Sequence, residues 1–213
     1  MDADSYDTPC SEPVLKSPGG KLRVLYVFAG KAREKGFEGC LRHCAAGRGL
    51  EVEAYDITRD PKHDLVRPKL RKKLLQDVRG KKFFFLAASP PCETFSRAKM
   101  SGRAGPPPLR SGACLRGFPG LRGHSRKKVR EANLFVDFVL GLAEAQEKVN
   151  GMGLLEHPED LGQAPRGDPG SLWRWPRVRR LASGSWGGLG LFFSPVGAAL
   201  SQNRPGWSST CQG

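Results

Sequence analysis

The sequence predicts an α/β fold: a Rossmann-like, open and mostly parallel sheet that is incomplete at its C-terminus. Three observations lead there. Short apolar runs alternate with helix-compatible stretches, the pattern of βαβ units. The first run, from Val24, and the third are continuously hydrophobic, as strands covered on both faces are. Four of the runs end in residues that bear chemistry, at the strand ends where open parallel sheets bind ligands.

The elements follow in order. Residues 1–20 carry four acids against Lys16 and end in Ser-Pro-Gly-Gly, and are expected to be a disordered lead. LRVLYVFAG (22–30) is a buried strand stopped at Ala29-Gly30, and the stretch to about Ala46 is helix-compatible. Leu50 to Ile57 is a second strand containing the acid Asp56. Asp64 to Gly80 is a strongly basic helix. Phe83 to Ala88 is a third strand, running straight into Ser89-Pro90-Pro91-Cys92.

Residues 97–130 hold ten Lys or Arg, no acid, and many Gly and Pro. The part from 97 to 124 is expected to be a basic flexible loop, and long loops inside compact domains tend to be functional. A helix is expected from about Ser125 to Lys148, because Ala132, Phe135, Val139 and Leu142 fall on one face. Met152 to Glu156 is a fourth strand, broken by His157-Pro158. These elements make residues 21–162 one core. From 163 to 213 the sequence is rich in Gly, Arg, Trp and Ser and is expected to be irregular or degraded, with LWRWPRVRRLA its helix-like piece and Gly187–Leu200 a further candidate strand.

Composition bounds the function. No run approaches the ~20 apolar residues that span a bilayer, and the N-terminus lacks a basic-then-apolar leader, so an intracellular protein without a membrane partner is expected; a monomer is expected as well. The net charge is +14, and +17 from residue 21 onward. A domain this basic usually meets a polyanion, most often nucleic acid. The six cysteines include no Cys-x-x-Cys pair, so no metal site is expected.

The chemistry converges on the strand ends. Two prolines fix the backbone that leaves the third strand, so Cys92 is held on a stiff tip, as a nucleophile must be. A buried structural thiol is the commoner fate of cysteine, and the diproline context argues against it. Phe28, Ala29 and Gly30 form a close turn, and Asp56 ends the second strand as an acceptor for ribose hydroxyls does.

SPPCETFS resembles the Pro-Cys loop of DNA cytosine-5 methyltransferases, usually Pro-Pro-Cys-Gln-x-Phe-Ser. VFAG is similar to that family's Phe-x-Gly-x-Gly motif, and LLEHPED to its Glu-Asn-Val or Glu-Asn-Pro motif, placing the chain nearest the compact phage- or retroelement-like members. The three occur in family order across residues 22 to about 162. The resemblance implies an S-adenosylmethionine-dependent methyltransferase fold. It makes Cys92 the nucleophile toward carbon 6 of cytosine and Glu156 the group that binds the ring nitrogen and exocyclic amine, with a pKa raised by burial. It makes Phe28, Ala29, Gly30, Asp56, Asp64 and Pro90 the S-adenosylmethionine site. Ser96, Arg97, Lys99, Arg126, Lys127 and Lys128 are expected to contact nucleic acid, DNA rather than RNA, which would place the protein in the nucleus of a eukaryotic cell.

Departures from the family are specific. Glu93 stands for the usual Gln, and His157 for the Asn that braces the active-site loop. The Arg-x-Arg motif, the recognition region and the closing helix are not found; Arg177-Val178-Arg179 has the letters but follows a Trp-Pro segment. Three rivals stand beside this reading: an amino-group methyltransferase, whose aromatic position is filled here by Cys92; an inactive nucleic-acid-binding remnant; and a transfer-RNA cytosine-5 methyltransferase.

Overall fold

The computed structural model describes residues 21–34, 36–45, 49–100 and 105–183. Four strands form one sheet: β1 (Leu22–Val27), β2 (Leu50–Tyr55), β3 (Phe85–Ala88) and β4 (Met152–Leu155). Their order is β2-β1-β3-β4, and every pairing is parallel. The fold is therefore α/β with an open parallel sheet, compatible with a Rossmann-like arrangement. All four carboxyl ends lie along one edge.

Helix α1 (Phe37–Cys44) connects β1 to β2, α2 (Pro68–Arg79) connects β2 to β3, and α3 (Gly123–Lys148) connects β3 to β4. Pro68 opens α2 at a position where its missing N–H costs nothing. α2 and α3 pack against each other, with Leu74 and Val78 of one and Val136, Val139 and Leu140 of the other in the core. Leu25 and Val27 of β1 join that core. Tyr26 alternates to the opposite face, where its ring meets Phe37 of α1 edge-on at 5.3 Å. Two helices thus cover one face and α1 the other.

The 3.6-residue periodicity places α3 within two residues of its expected start. β3 ends at Ala88 as its apolar run does, whereas β1, β2 and β4 stop short of theirs. The stretch after Gln163 departs from the expected irregularity. A single 3-10 turn (Leu172–Arg174) leads into α4 (Pro176–Ser183). Leu172, Trp175, Val178 and Leu181 are all buried in the main core. Their spacing of three puts them on one face, with arginines turned outward.

The basic loop departs as well. Residues 105–122 have no regular structure, yet Leu109 and Arg110 are buried. The backbone is tied by Phe118 N–H to Leu109 O (3.1 Å) and by Gly112 N–H to Asp168 O (2.9 Å). The expected lead (1–20), the further strand at 187–200 and the rest of the C-terminal segment lie outside the described residues. No helix among the described residues is long and apolar enough to cross a membrane.

Candidate functional site

The turn after β1 carries backbone strain. Phe28 has φ 59° and Gly30 φ 64°, and the first is costly for a residue with a side chain. The strain is held from two sides. Phe28 N–H donates to Tyr55 O at 2.8 Å, and its ring meets Phe135 of α3 at 5.0 Å. Gly30 N–H donates to Asp56 Oδ2 at 2.9 Å, while Gly30 O accepts from Arg59 Nε at 2.6 Å.

Asp56 is therefore oriented by the turn it faces. Its Oδ1 accepts from the Thr58 amide (2.8 Å) and hydroxyl (2.6 Å). Burial works to raise this carboxyl, but the bonds from Thr58 and Gly30 outweigh it and hold it below the usual range. A carboxylate so fixed stays ionised and keeps acceptor capacity for hydroxyl groups. Beside it Ile57 is 59% exposed, an apolar surface next to a polar anchor. A Cβ built on Gly30 would meet nothing within 4 Å, so the space over the turn is open. Asp64, by contrast, makes local contacts: its Oδ1 accepts from Val66 N–H at 2.9 Å, and Arg67 lies 4.0 Å away.

At the end of β3, Ser89 N–H donates to Val27 O (3.2 Å), fixing where the chain leaves the sheet. Pro90 is buried, Pro91 and Cys92 are exposed, and Glu93–Phe95 forms a 3-10 turn closed by Phe95 N–H to Cys92 O at 2.8 Å. Cys92 sits at the rim, yet enough protein crowds its sulfur to matter. That partial desolvation, then the negative charges of Glu156 and Glu93, push the thiol above its ordinary value.

Glu156 follows β4, its N–H donating to Ala88 O at 2.8 Å. It is half-buried, and desolvation raises its carboxyl while the Ser89 hydroxyl works weakly against the rise. This is the direction expected from the sequence. The sheet order puts β3 beside β4, so the thiol and the carboxyl leave adjacent strands and feel each other's charge.

Behind Cys92 lies a cluster that sequence reasoning does not assemble. His157 is 1% exposed, and its ring meets Phe95 edge-on at 4.8 Å. Burial and then the Arg110 charge push its pKa down to about 3, with the Pro158 backbone a weak opposing influence. Neither ring nitrogen closes a well-formed hydrogen bond. Arg110 is 2% exposed, with its guanidinium 3.9 Å from the centre of the Phe95 ring. No periodicity marks Arg110, because it sits in a Gly/Pro loop.

The expected nucleic-acid contacts divide into two groups. Arg97 donates to the carbonyls of Gly162 and Gln163, and Lys128 pairs with Glu93, so these two cations brace the site's own loops. Ser96 and Lys99 are half-buried beside them. Arg126 and Lys127 are exposed and, with Arg130, Glu131, Val66 and Leu134, line a groove of about 470 Å³ at the start of α3. Arg177 is spent on Glu144 (2.9 Å) and Asp137 (3.5 Å). No group of three or more His, Cys, Asp or Glu side chains suited to a metal ion occurs among the described residues. No protein-family model, no curated protein and no solved structure matches the chain.

Proposed function

We propose that this chain transfers a methyl group from S-adenosylmethionine to carbon 5 of cytosine in DNA through a covalent bond to Cys92. One observation carries the reading: an exposed thiol on a diproline corner and a half-buried carboxyl of raised pKa leave neighbouring parallel strands and interact electrostatically.

The residues fit the donor. Asp56 would take the ribose hydroxyls, Ile57 the adenine, and the open turn at Phe28, Ala29 and Gly30 the methionine end, with Pro90 forming the buried wall beneath. Asp64 has no comparable link to that turn among the described residues. S-adenosylmethionine supplies, when bound, a methyl group activated on a sulfonium sulfur.

The protein's part is to make carbon 5 nucleophilic. The Cys92 sulfur, as thiolate, bonds to carbon 6, and the π electrons of the 5,6 bond move to carbon 5. Glu156, protonated, hydrogen-bonds ring nitrogen 3 and stabilises the charge delocalised there. After methylation the proton on carbon 5 leaves to a base, its electron pair re-forms the double bond, and the carbon–sulfur bond breaks, returning the thiolate. Because carbon 5 is inside a duplex, the base must be extruded to reach Cys92. Arg126, Lys127 and Arg130 have no carboxylate partner among the described residues, which leaves them for backbone phosphates. A monomer acting in the nucleus of a eukaryotic cell belongs to the same proposal.

A second reading is favoured by two features: the Cys92 thiol is held up rather than down, and Arg177 is consumed by ion pairs. It is a nucleic-acid-binding remnant without turnover. Trapping separates the two. Oligonucleotides carrying 5-fluorocytosine cannot lose the carbon 5 substituent, so the enzyme reading expects a covalent adduct that requires S-adenosylmethionine and vanishes in Cys92→Ala. Absence of adduct, with salt-sensitive binding retained, favours the remnant. Offering DNA and transfer RNA in parallel distinguishes the substrates.

A further inference from the structure

We propose that Arg110 is the positioning residue of the Cys92 loop: a buried guanidinium, without a carboxylate, on which the turn bearing the nucleophile is built. The inference rests on the reading of Cys92 as the nucleophile, although its geometry stands independently of that reading.

Arg110 is the largest fully buried side chain among the described residues, and it forms no ion pair there. Burying a cation without a counter-charge is costly, and an apolar residue of the same volume would fill the space without the cost. What the arginine adds is direction. Its Nε donates to Thr94 Oγ1 at 3.0 Å, and its Nη1 donates to Leu115 O at 2.7 Å and Asn133 Oδ1 at 2.8 Å. The flat face of the same group stacks on Phe95 at 3.9 Å. A rigid fork that both stacks and donates is a property of arginine that lysine lacks.

Thr94 and Phe95 are the second and third residues after Cys92, and Phe95 N–H closes the turn on Cys92 O. Asn133 belongs to α3, so the guanidinium fastens the nucleophile's turn to the long helix from inside. Lys128, earlier on α3, fastens Glu93 from outside. The same Phe95 ring meets His157, the residue after Glu156, edge-on at 4.8 Å. One aromatic ring therefore touches both Arg110, which holds the turn of the thiol, and His157, the neighbour of the acid. The guanidinium's field also helps keep His157 neutral, so the ring packs as an uncharged edge.

The test uses Arg110→Met, Arg110→Lys and Thr94→Val in the full chain. Three readouts are followed: oligonucleotide affinity, the rate of adduct formation with 5-fluorocytosine, and the pH midpoint of Cys92 alkylation by iodoacetamide, with the exposed Cys40 as internal reference. Displacement of a reacting group by about 1 Å costs roughly a hundredfold in rate. That loss is expected for Arg110→Met, with affinity unchanged. Losing one hydrogen bond in Thr94→Val is expected to cost about tenfold. Arg110→Lys should not restore the rate. A loosened turn takes the sulfur out of the field of Glu156, so the Cys92 midpoint should fall in all three variants while that of Cys40 stays. A purely structural arginine would move the melting temperature and leave that midpoint alone.

The proposal is overturned if folded Arg110→Met matches the parent within twofold in adduct rate and shows the same midpoint. Should Arg110→Met fail to fold, Thr94→Val decides by the same two readouts. If the parent chain gives no adduct, the methyl-transfer reading fails, and the alkylation midpoints still settle the role of Arg110.

Discussion

His157 should make the protein acid-sensitive by an amount that can be worked out. Its pKa falls from the usual 6.5 to about 3, first through burial and then through the Arg110 charge. In the unfolded chain the ring titrates near its ordinary value. Between those two pH values the unfolded state binds a proton that the folded state refuses, so stability falls as pH falls through that window. Above it the residue contributes no slope. Each pH unit well inside the window is worth about 1.36 kcal/mol, and the unfolded ring is only half protonated at its own pKa, so acidification from about pH 6.5 to 4.5 should remove about 2.3 kcal/mol through this residue. The perturbation is His157→Asn, which removes the titrating group and leaves the other ionisable residues in place. Urea unfolding of both chains at several pH values gives the comparison. The variant starts less stable near neutrality because it loses the ring's contact with Phe95, and the two stability curves should then converge on acidification. Curves that stay parallel within about 0.5 kcal/mol, well under the predicted linkage, would refute the claim that a neutral imidazole is locked behind Cys92.

Other consequences are open to direct measurement. Leu142→Ala empties a fully buried position on α3 and should cost about 2–5 kcal/mol in urea unfolding. Arg174→Met removes a guanidinium that binds Asp160 at 2.5 and 2.9 Å and Asp168 at 2.7 Å. Because these groups are about a quarter exposed, the expected loss in a thermal melt is only about 1–2 kcal/mol. Asp56→Asn keeps the shape at the Gly30 turn but offers one acceptor oxygen in place of two, and should weaken S-adenosylmethionine binding by about tenfold in calorimetry. Glu156→Gln should move two readouts of Cys92 in opposite directions: alkylation shifts to lower pH, while adduct formation with 5-fluorocytosine slows by about 100- to 1000-fold.

The sheet is legible in the sequence because its signals are local. Phe83 to Ala88 is apolar without interruption and then meets two prolines, so both the strand and its end are written in consecutive letters. The same holds for α3, where Phe135, Val139 and Leu142 repeat at helical spacing. Once strands and helices alternate, topology follows, and Gly30, Asp56, Cys92 and Glu156 fall on one edge. Pairing at a distance is another matter. Lys128 and Glu93 are 35 positions apart, and Arg110 and Asn133 are 23 apart, in segments whose charges look alike and whose loops have no period. A basic loop therefore reads as free when two of its cations, Arg97 and Arg110, are committed to the site's own framework. α4 is half legible for a different reason. Its helical character shows in LWRWPRVRRLA, but the arginines between Trp175, Val178 and Leu181 disguise a narrow apolar face that only the three-residue spacing displays.

The same coupling gives the site a chemical logic. Cys92 and Glu156 are both held toward their protonated forms, the first partly by the charge of the second. Treated as independent groups they look inert, because a nucleophile needs the thiolate. Treated together, the charge state of Glu156 acts on that of Cys92. Protonating Glu156 removes the negative field that holds the thiol up, so the arrangement of thiolate beside carboxylic acid is relieved of the repulsion present when both are ionised. That arrangement is the one the proposed attack on cytosine would need, with sulfur free to bond carbon 6 and a proton on the carboxyl to meet ring nitrogen 3. Burial of Glu156 supplies the bias toward its acid form, and the carboxylate's charge reaches the Cys92 sulfur. On the proposed methyl transfer, a polar pyrimidine edge that hydrogen-bonds the acid form would strengthen that bias, so binding of the base would help to ionise the Cys92 sulfur.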